Sequence, residues 1–92
     1  MTIVTLRYWA AAKEAAGIAE ETITAGTLAE ALAAARGQAG RGERAGQDAR
    51  LRAVLARSSF LIDGMPVGTR APEAVVLGDA AVIEVLPPFA GG

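Results

Sequence analysis

The chain of 92 residues contains no cysteine and no histidine. Without cysteine there are no disulfide bonds and no thiol nucleophiles, and without either residue the usual zinc sites, imidazole bases and Ser-His-Asp triads cannot be assembled. We therefore expect a protein that binds no metal and no cofactor and has no catalytic side chains of its own.

Neither sign of charge predominates, because nine Lys and Arg residues face ten Asp and Glu residues. Such a balance gives no general basic field that would hold nucleic acid or an anionic membrane. No run of roughly 18 apolar residues is present, and Met1-Thr2 leads directly into a strand-like segment instead of a basic and then apolar leader. We expect one cytoplasmic domain that folds alone and has neither nucleic acid nor membrane as a partner.

The first 25 residues alternate between strand and helix patterns. The β-branched and aromatic residues of Thr2–Trp9 predict a strand with alternate residues on one side. Strong helix formers follow and stop at Gly17, which predicts a helix of about two turns. The stretch "IAEETITA" (18–25) returns to a strand pattern, in which Glu20 and Glu21 are expected to mark an exposed turn or edge.

The middle of the chain carries the clearest helix signal. Thr27 followed three residues later by Glu30 predicts a capping box at the start of a helix. From Gly37 to Gln47 no apolar residue is larger than alanine, so this segment is expected to be a mobile surface loop. Asp48 is the expected N-cap of a second, short amphipathic helix over Ala49–Arg57.

The last third predicts short strands that close the sheet. One strand runs into an Asp63-Gly64 turn, and Pro66 restricts the strand after that turn to a sheet edge. An irregular segment follows, in which residues 75–77 are expected to add a little core. The dense apolar run Ala81–Pro88 predicts a strand that is buried on both faces.

This order of segments predicts an α+β fold with one sheet and a helix across one face. The first and last strands are the most apolar, so we expect them side by side at the centre of the sheet. If they run parallel, the helix between them supplies the crossover that parallel strands require.

The chain finishes with "PPFAGG", and this tail is the strongest functional signal. Pro87 and Pro88 cannot continue a strand ladder and hold the chain extended, while Phe89 on such a tail is expected to enter a partner's pocket. The tail continues through Ala90, and its Gly91-Gly92 tip fits a channel too narrow for any Cβ. Its carboxylate becomes an electrophile only after activation, and the chain has no phosphate-binding loop. The tail is therefore predicted to be a substrate of a partner that uses ATP and Mg²⁺.

These segments resemble the MoaD/ThiS group of sulfur carriers, which are relatives of ubiquitin. The stretches "VTLRYWAAAKEAAG", "TLAEALAAAR", "RAVLARSSFLIDG" and "IEVLPPFAGG" follow the order of that group almost from end to end. The resemblance implies a ubiquitin-like β-grasp domain over residues 1–87, with a mixed sheet of four or five strands, a principal helix and short additional helices. A flexible tail over residues 88–92 would follow it.

The resemblance also implies a chemistry and its partners. A ubiquitin-activating-type enzyme (MoaB/MoeB-like) would adenylate Gly92, whose carboxylate then becomes a thiocarboxylate. The helix over Ala49–Arg57 and the "PPFAGG" ending favour the MoaD branch, in which sulfur is delivered to a pterin precursor in the large subunit of molybdopterin synthase (MoaE-like). The chain would then be the small subunit of that sulfurtransferase.

Other readings remain open. The acceptor of sulfur could belong to thiamine thiazole or cysteine synthesis. The chain could be a ubiquitin-like modifier that forms isopeptide bonds, or a binding domain that is never activated. Trp9 is equally consistent with an interface anchor and with a residue that closes the core. Arg7 and Lys13 either meet an acidic patch on a partner or lie on solvated faces, which is the commoner case.

Overall fold

The computed structural model of the protein describes residues 2–37 and 49–88. In these ranges five strands, three α-helices and a short 3₁₀ turn follow one another along the chain. Their bounds, in order, are β1 (Thr2–Tyr8), α1 (Ala10–Ala16), β2 (Glu20–Ala25), α2 (Leu28–Ala34), α3 (Ala49–Arg57), β3 (Ser59–Ile62), β4 (Met65–Pro66), the 3₁₀ turn (Pro72–Ala74) and β5 (Val82–Leu86).

The five strands form one mixed sheet in the order β2-β1-β5-β3-β4. β1 and β5 lie side by side and run parallel, with Leu6 opposite Ile83 and Tyr8 opposite Val85. The other neighbouring strands are antiparallel. The prediction that the first and last strands pair at the centre of the sheet is confirmed, and so is the α+β class.

The helices cover one face of this sheet because strand residues alternate between its two sides. In β1, Val4, Leu6 and Tyr8 are buried, whereas the residues between them are not. Apolar side chains from the helices fill the space above them. The buried residues that α1, α2 and α3 contribute are Ala12, Ala16, Leu28, Ala31, Leu51 and Leu55.

The two helix ends that the sequence specifies are formed as predicted. α1 stops at Gly17, whose φ of 77° is a left-handed conformation that glycine adopts without steric cost. At the start of α2, the Thr27 hydroxyl accepts a hydrogen bond from the Glu30 backbone N–H at 3.2 Å. The Glu30 carboxylate in turn accepts the Thr27 N–H at 3.0 Å, which completes the capping box.

The β3–β4 hairpin also matches its prediction. Asp63 and Gly64 have φ of 50° and 83°, as a tight two-residue turn of the primed type requires. The Asp63 carboxylate accepts the Val82 N–H at 3.0 Å, so the turn is tied to β5. β4 has only two residues, and Pro66 lies opposite Leu61 at the sheet edge.

Burial on both faces of β5 was expected, and this expectation is wrong. Ile83 and Val85 are buried, but the alternating Val82, Glu84 and Leu86 are only half-buried. The reason is that the described helices lie on one side of the sheet. Residues 75–77 also alternate in burial. Val75 and Leu77 are buried in the core, as expected, whereas Val76 is 79% exposed.

Gly37 also departs from the prediction, since it does not behave as the first residue of a loop that cannot pack. It is buried and lies against the end of α1, where its missing side chain allows the backbone of Ala16 to come close. The rest of the predicted loop, together with the expected N-cap Asp48, lies outside the described residues.

Candidate functional site

The predicted tail leaves the domain from the middle of the sheet. β5 is flanked by β1 and β3 and ends at Leu86, which lies opposite Ser59. Pro87 is half-buried and Pro88 is exposed, so the chain has emerged at the surface by residue 88. Phe89, Ala90, Gly91 and Gly92 lie outside the described residues, and their roles therefore stay predictions.

Beside this exit lies the side of the sheet that the described helices leave uncovered, which we call the open face. It mixes aliphatic, hydroxyl and charged side chains. By strand alternation and register its members are Ile3, Thr5 and Arg7 of β1, Glu20, Thr22 and Thr24 of β2, Ser59 and Leu61 of β3, Pro66 of β4, and Val82, Glu84 and Leu86 of β5.

Trp9 extends the open face at the end of β1. Its indole N–H donates a hydrogen bond to the Glu84 carboxylate at 3.3 Å, and 46% of the residue is exposed. The backbone N–H of Trp9 donates to the carbonyl of Val85 at 3.3 Å, so Trp9 is anchored to the strand that leads into the tail. Of the two interpretations of Trp9, closure of the core does not fit its exposure.

The two cations singled out in the sequence are on solvated positions. Arg7 forms an ion pair with Glu20 at 3.3 Å across β1 and β2, with both side chains about half exposed (43% and 55%). Exposed pairs of this kind contribute little to stability. Lys13 is exposed on α1. Both positions therefore fit the interpretation of charges on solvated faces.

One polar cluster was missed in the sequence. Glu20 and Glu21 were expected at an exposed turn or edge, and both do lie on the edge strand β2, with Glu20 exposed. Glu21, however, is half-buried, with its carboxylate on the helix side of the sheet. A single oxygen, Oε2, accepts the Tyr8 hydroxyl and the backbone N–H groups of Arg36 at 3.2 Å and Gly37 at 2.7 Å. Glu21 therefore ties β1, β2 and the segment after α2 together.

The same contact changes the acidity of the tyrosine. Burial, the hydrogen bond to Glu21 and the negative charge of Glu21 all raise the pKa of Tyr8 above its ordinary value. The neutral hydroxyl is the form that donates to the carboxylate, so ionisation would break the cluster. Strand alternation places Glu21 on the same side as Ile23, so the sequence contained the side of the sheet on which Glu21 lies, but not its partners.

We predict that Tyr8 makes the fold sensitive to alkali. The unfolded chain loses the tyrosine proton near pH 10 and the folded chain only at higher pH, so the unfolded state binds fewer protons and the free energy of unfolding falls as pH rises above about 10. Between about pH 9 and pH 11, wild type should lose about 1.4 kcal/mol more than Tyr8→Phe in urea unfolding. Equal losses in the two proteins would contradict the burial of this hydroxyl.

Within residues 2–37 and 49–88, no group of three or more Asp and Glu side chains is placed to hold a metal ion. The helices of these ranges are all too short or too polar to cross a membrane.

Comparison with known proteins gives matches among solved structures alone, because no protein-family model and no curated protein matches the chain. The solution structure of small archaeal modifier protein 1 from Methanosarcina acetivorans superposes with a TM-score of 0.69 at 21% identity, covering 100% of this chain and 98% of that one. Subunit 1 of molybdopterin converting factor from Pyrococcus furiosus, described as putative, gives 0.64 at 22% identity, covering 97% and 100%.

A third match comes from a protein-protein complex. The complex of subunits 1 and 2 of molybdopterin-converting factor from Helicobacter pylori contains a chain that superposes with a TM-score of 0.62 at 22% identity, covering 99% of this chain and 100% of that one. The fold is thus the ubiquitin-like β-grasp. The structural neighbours are of the MoaD and ubiquitin-like modifier types, which confirms at the level of fold the resemblance seen in the sequence.

Proposed function

We propose that this protein is a sulfur carrier and that the carboxylate of Gly92 holds the sulfur. The observation that carries the proposal is the position of "PPFAGG", which follows directly on the central strand β5 of a ubiquitin-like β-grasp domain. In that place the tail follows directly on a strand that is hydrogen-bonded to a neighbour on each side. The domain then presents the tail to other proteins, and its own side chains take no part in the chemistry.

The chemical steps need a partner enzyme with ATP and Mg²⁺. The Gly92 carboxylate attacks the α-phosphate of ATP, which forms an acyl-adenylate and releases pyrophosphate. A persulfide on the sulfur donor then attacks the acyl carbon and displaces AMP, which gives an acyl disulfide. A thiol next cleaves the S–S bond, so that the thiocarboxylate leaves and the thiol remains in a disulfide with the donor. Pro87 and Pro88 restrict their own backbone to extended conformations. We place these steps in the cytoplasm.

As the acceptor we propose a pterin precursor, with this chain as the small subunit of molybdopterin synthase. Support comes from the Helicobacter pylori neighbour, which is in complex with a second subunit. The open face beside the tail offers a surface for such a subunit, since Trp9 and the half-buried Leu86 lie next to the exit of the chain. Aromatic residues of this kind are frequent anchors of interfaces.

The second candidate is a ubiquitin-like modifier, in which a lysine amine displaces AMP and an isopeptide bond forms. Three of the structural neighbours are small archaeal modifier protein 1, which favours keeping this candidate. Both functions begin with adenylation, but the modifier gives a ladder of covalent conjugates on a denaturing gel, whereas the carrier does not. Carriers for thiazole or cysteine synthesis differ from the leading proposal only in the acceptor.

The test is the intact mass of the protein, co-expressed with its activating enzyme and sulfur donor and purified without reductant or alkylating agent. We expect a species in which sulfur replaces one terminal oxygen, and fragmentation should place the change on Gly92. An ordinary carboxylate in every molecule, with no conjugates, would exclude both the carrier and the modifier. A conjugate ladder without thiocarboxylate would select the modifier.

A further inference from the structure

The two edges of the sheet are protected to different degrees. β4 is a two-residue strand that contains Pro66, and short edge strands with proline are a common guard against pairing with other chains. β2 has six residues, and its register with β1 runs without a bulge from Thr2 opposite Ala25 to Arg7 opposite Glu20. It contains no proline, lysine or arginine, and its charged residues are Glu20 and Glu21, of which Glu21 has its carboxylate bound to Tyr8 and to the backbone N–H groups of Arg36 and Gly37.

The backbone of β2 offers hydrogen-bonding groups along its outer side. The Tyr8 N–H donates to the Ala19 carbonyl at 2.8 Å, so odd-numbered residues of β2 face β1 and even-numbered residues face outwards. Glu20, Thr22 and Thr24 therefore direct their N–H and C=O groups away from the sheet. Within residues 2–37 and 49–88, these N–H and C=O groups form no backbone hydrogen bond on their outer side.

The same edge is already used for pairing a few residues further on. The Leu77 N–H donates to the Gly26 carbonyl, and the Leu28 N–H donates to the Val75 carbonyl, each at 2.9 Å. This antiparallel bridge joins Thr27 and Val76, after which the chain turns away towards β5. The chain itself therefore pairs with this edge at residues 26–28. Among the described residues it does not pair with Thr24, Thr22 or Glu20.

We propose that β2 of a second copy of this chain pairs with this edge, antiparallel and with the two-fold axis at Thr22. Thr22 then lies opposite Thr22 of the second copy, and Glu20 lies opposite Thr24. Each of the three outward residues contributes one N–H and one C=O, so the ladder is complete over this length. The register also places no two carboxylates directly opposite each other, and β-branched Thr–Thr pairs are favourable across strands.

This pairing is independent of the proposed sulfur chemistry. β1 separates β2 from β5, so the tail leaves the sheet about 10 Å from the paired edge. The open face and the exit at Pro88 stay accessible in the dimer. The interface is only one strand pair wide, so we expect weak association, with Kd in the range of about 0.1–1 mM.

A pair of lysine substitutions on neighbouring outward positions tests the register. Thr22→Lys puts two lysines opposite each other at the two-fold axis and should weaken the dimer about fivefold or more. Thr24→Lys puts a lysine opposite Glu20 of the second copy, twice in the dimer, and should tighten it about 2- to 5-fold. The measurement is sedimentation velocity of the full chain over a concentration series, with urea unfolding to verify that both exposed variants fold.

Wild type that stays monomeric up to about 1 mM would overturn the proposal, as would equal weakening by the two lysines. Amide spectra provide a second reading. On concentration, the amides of Glu20, Thr22 and Thr24 should shift and exchange more slowly, while those of Glu21 and Ile23, already bonded to β1, should not. Changes centred instead on Ile3 and Trp9 would show that any dimer uses the open face and would also overturn the proposal.

Discussion

Deletion of Gly92 is expected to lower the rate of adenylation by the activating enzyme at least about 10²-fold and to leave the free energy of unfolding unchanged. One extended residue spans about 3.3–3.6 Å, so the deletion withdraws the carboxylate by that length. A misplacement of about 1 Å in a reacting group already costs such a factor. Stability is unaffected because the buried core along the chain is complete by Val85.

The measurement is AMP-forming turnover or ATP–pyrophosphate exchange with the purified activating enzyme, together with urea unfolding of each variant. Gly92→Ala adds one methyl group at the tip and should also react poorly if the enzyme's channel excludes a side chain. Gly78→Ala is the matched control, because a Cβ there meets nothing within 4 Å and the position is far along the chain from the tail. A Gly92 deletion that is adenylated like wild type would contradict the proposed role of the tail.

The parts of the fold that the sequence predicted are those determined by near neighbours. The capping box needs only Thr27 and Glu30, three residues apart, and the left-handed end of α1 needs only Gly17. The hairpin turn follows from Asp63-Gly64. The central pairing of β1 and β5 was also predictable, because the two most apolar strands gain most from a place in the middle of the sheet.

The parts that could not be predicted depend on distant residues. Glu21 receives hydrogen bonds from groups 13 to 16 positions away, which the sheet register and the end of α2 bring to it. Trp9 was ambiguous because its partner Glu84 is 75 positions away. In the tail, Pro87 and Pro88 alone fall within the described residues, so the assignment of Gly91 and Gly92 still rests on sequence chemistry and fold.

Gly37→Ala is expected to be strongly destabilising, more so than the same substitution at Gly26, Gly64, Gly68 or Gly78. Gly37 has φ of +60°, and a Cβ built there would lie 2.5 Å from the carbonyl oxygen of Ala16 and 2.8 Å from its Cα. The left-handed conformation costs about 1 kcal/mol for alanine, and forced overpacking costs about 1–3 kcal/mol. Together we expect a loss of about 2–4 kcal/mol, or about 10–25 °C in Tm.

The backbone contacts of Gly37 explain why the clash is not relieved cheaply. Its N–H donates to Glu21 at 2.7 Å, so moving the residue away from Ala16 also pulls on the carboxylate that receives the Tyr8 hydroxyl. Ala16 is itself buried at the end of α1 and has little room to retreat. The variant should therefore expose Tyr8, and its pKa should move back towards the ordinary value.

Gly68→Ala is the matched control, since Gly68 has nearly the same φ, +66°, but a Cβ there meets nothing within 4 Å. It should lose only the conformational part, about 1 kcal/mol, in urea or thermal unfolding. The difference between the two variants then measures the cost of the contact with Ala16. If Gly37→Ala loses no more than Gly68→Ala, the segment after α2 does not pack on α1 as described. The hydrogen bond from the Gly37 N–H to Glu21 would then not be held in place by the packing of Gly37 on Ala16.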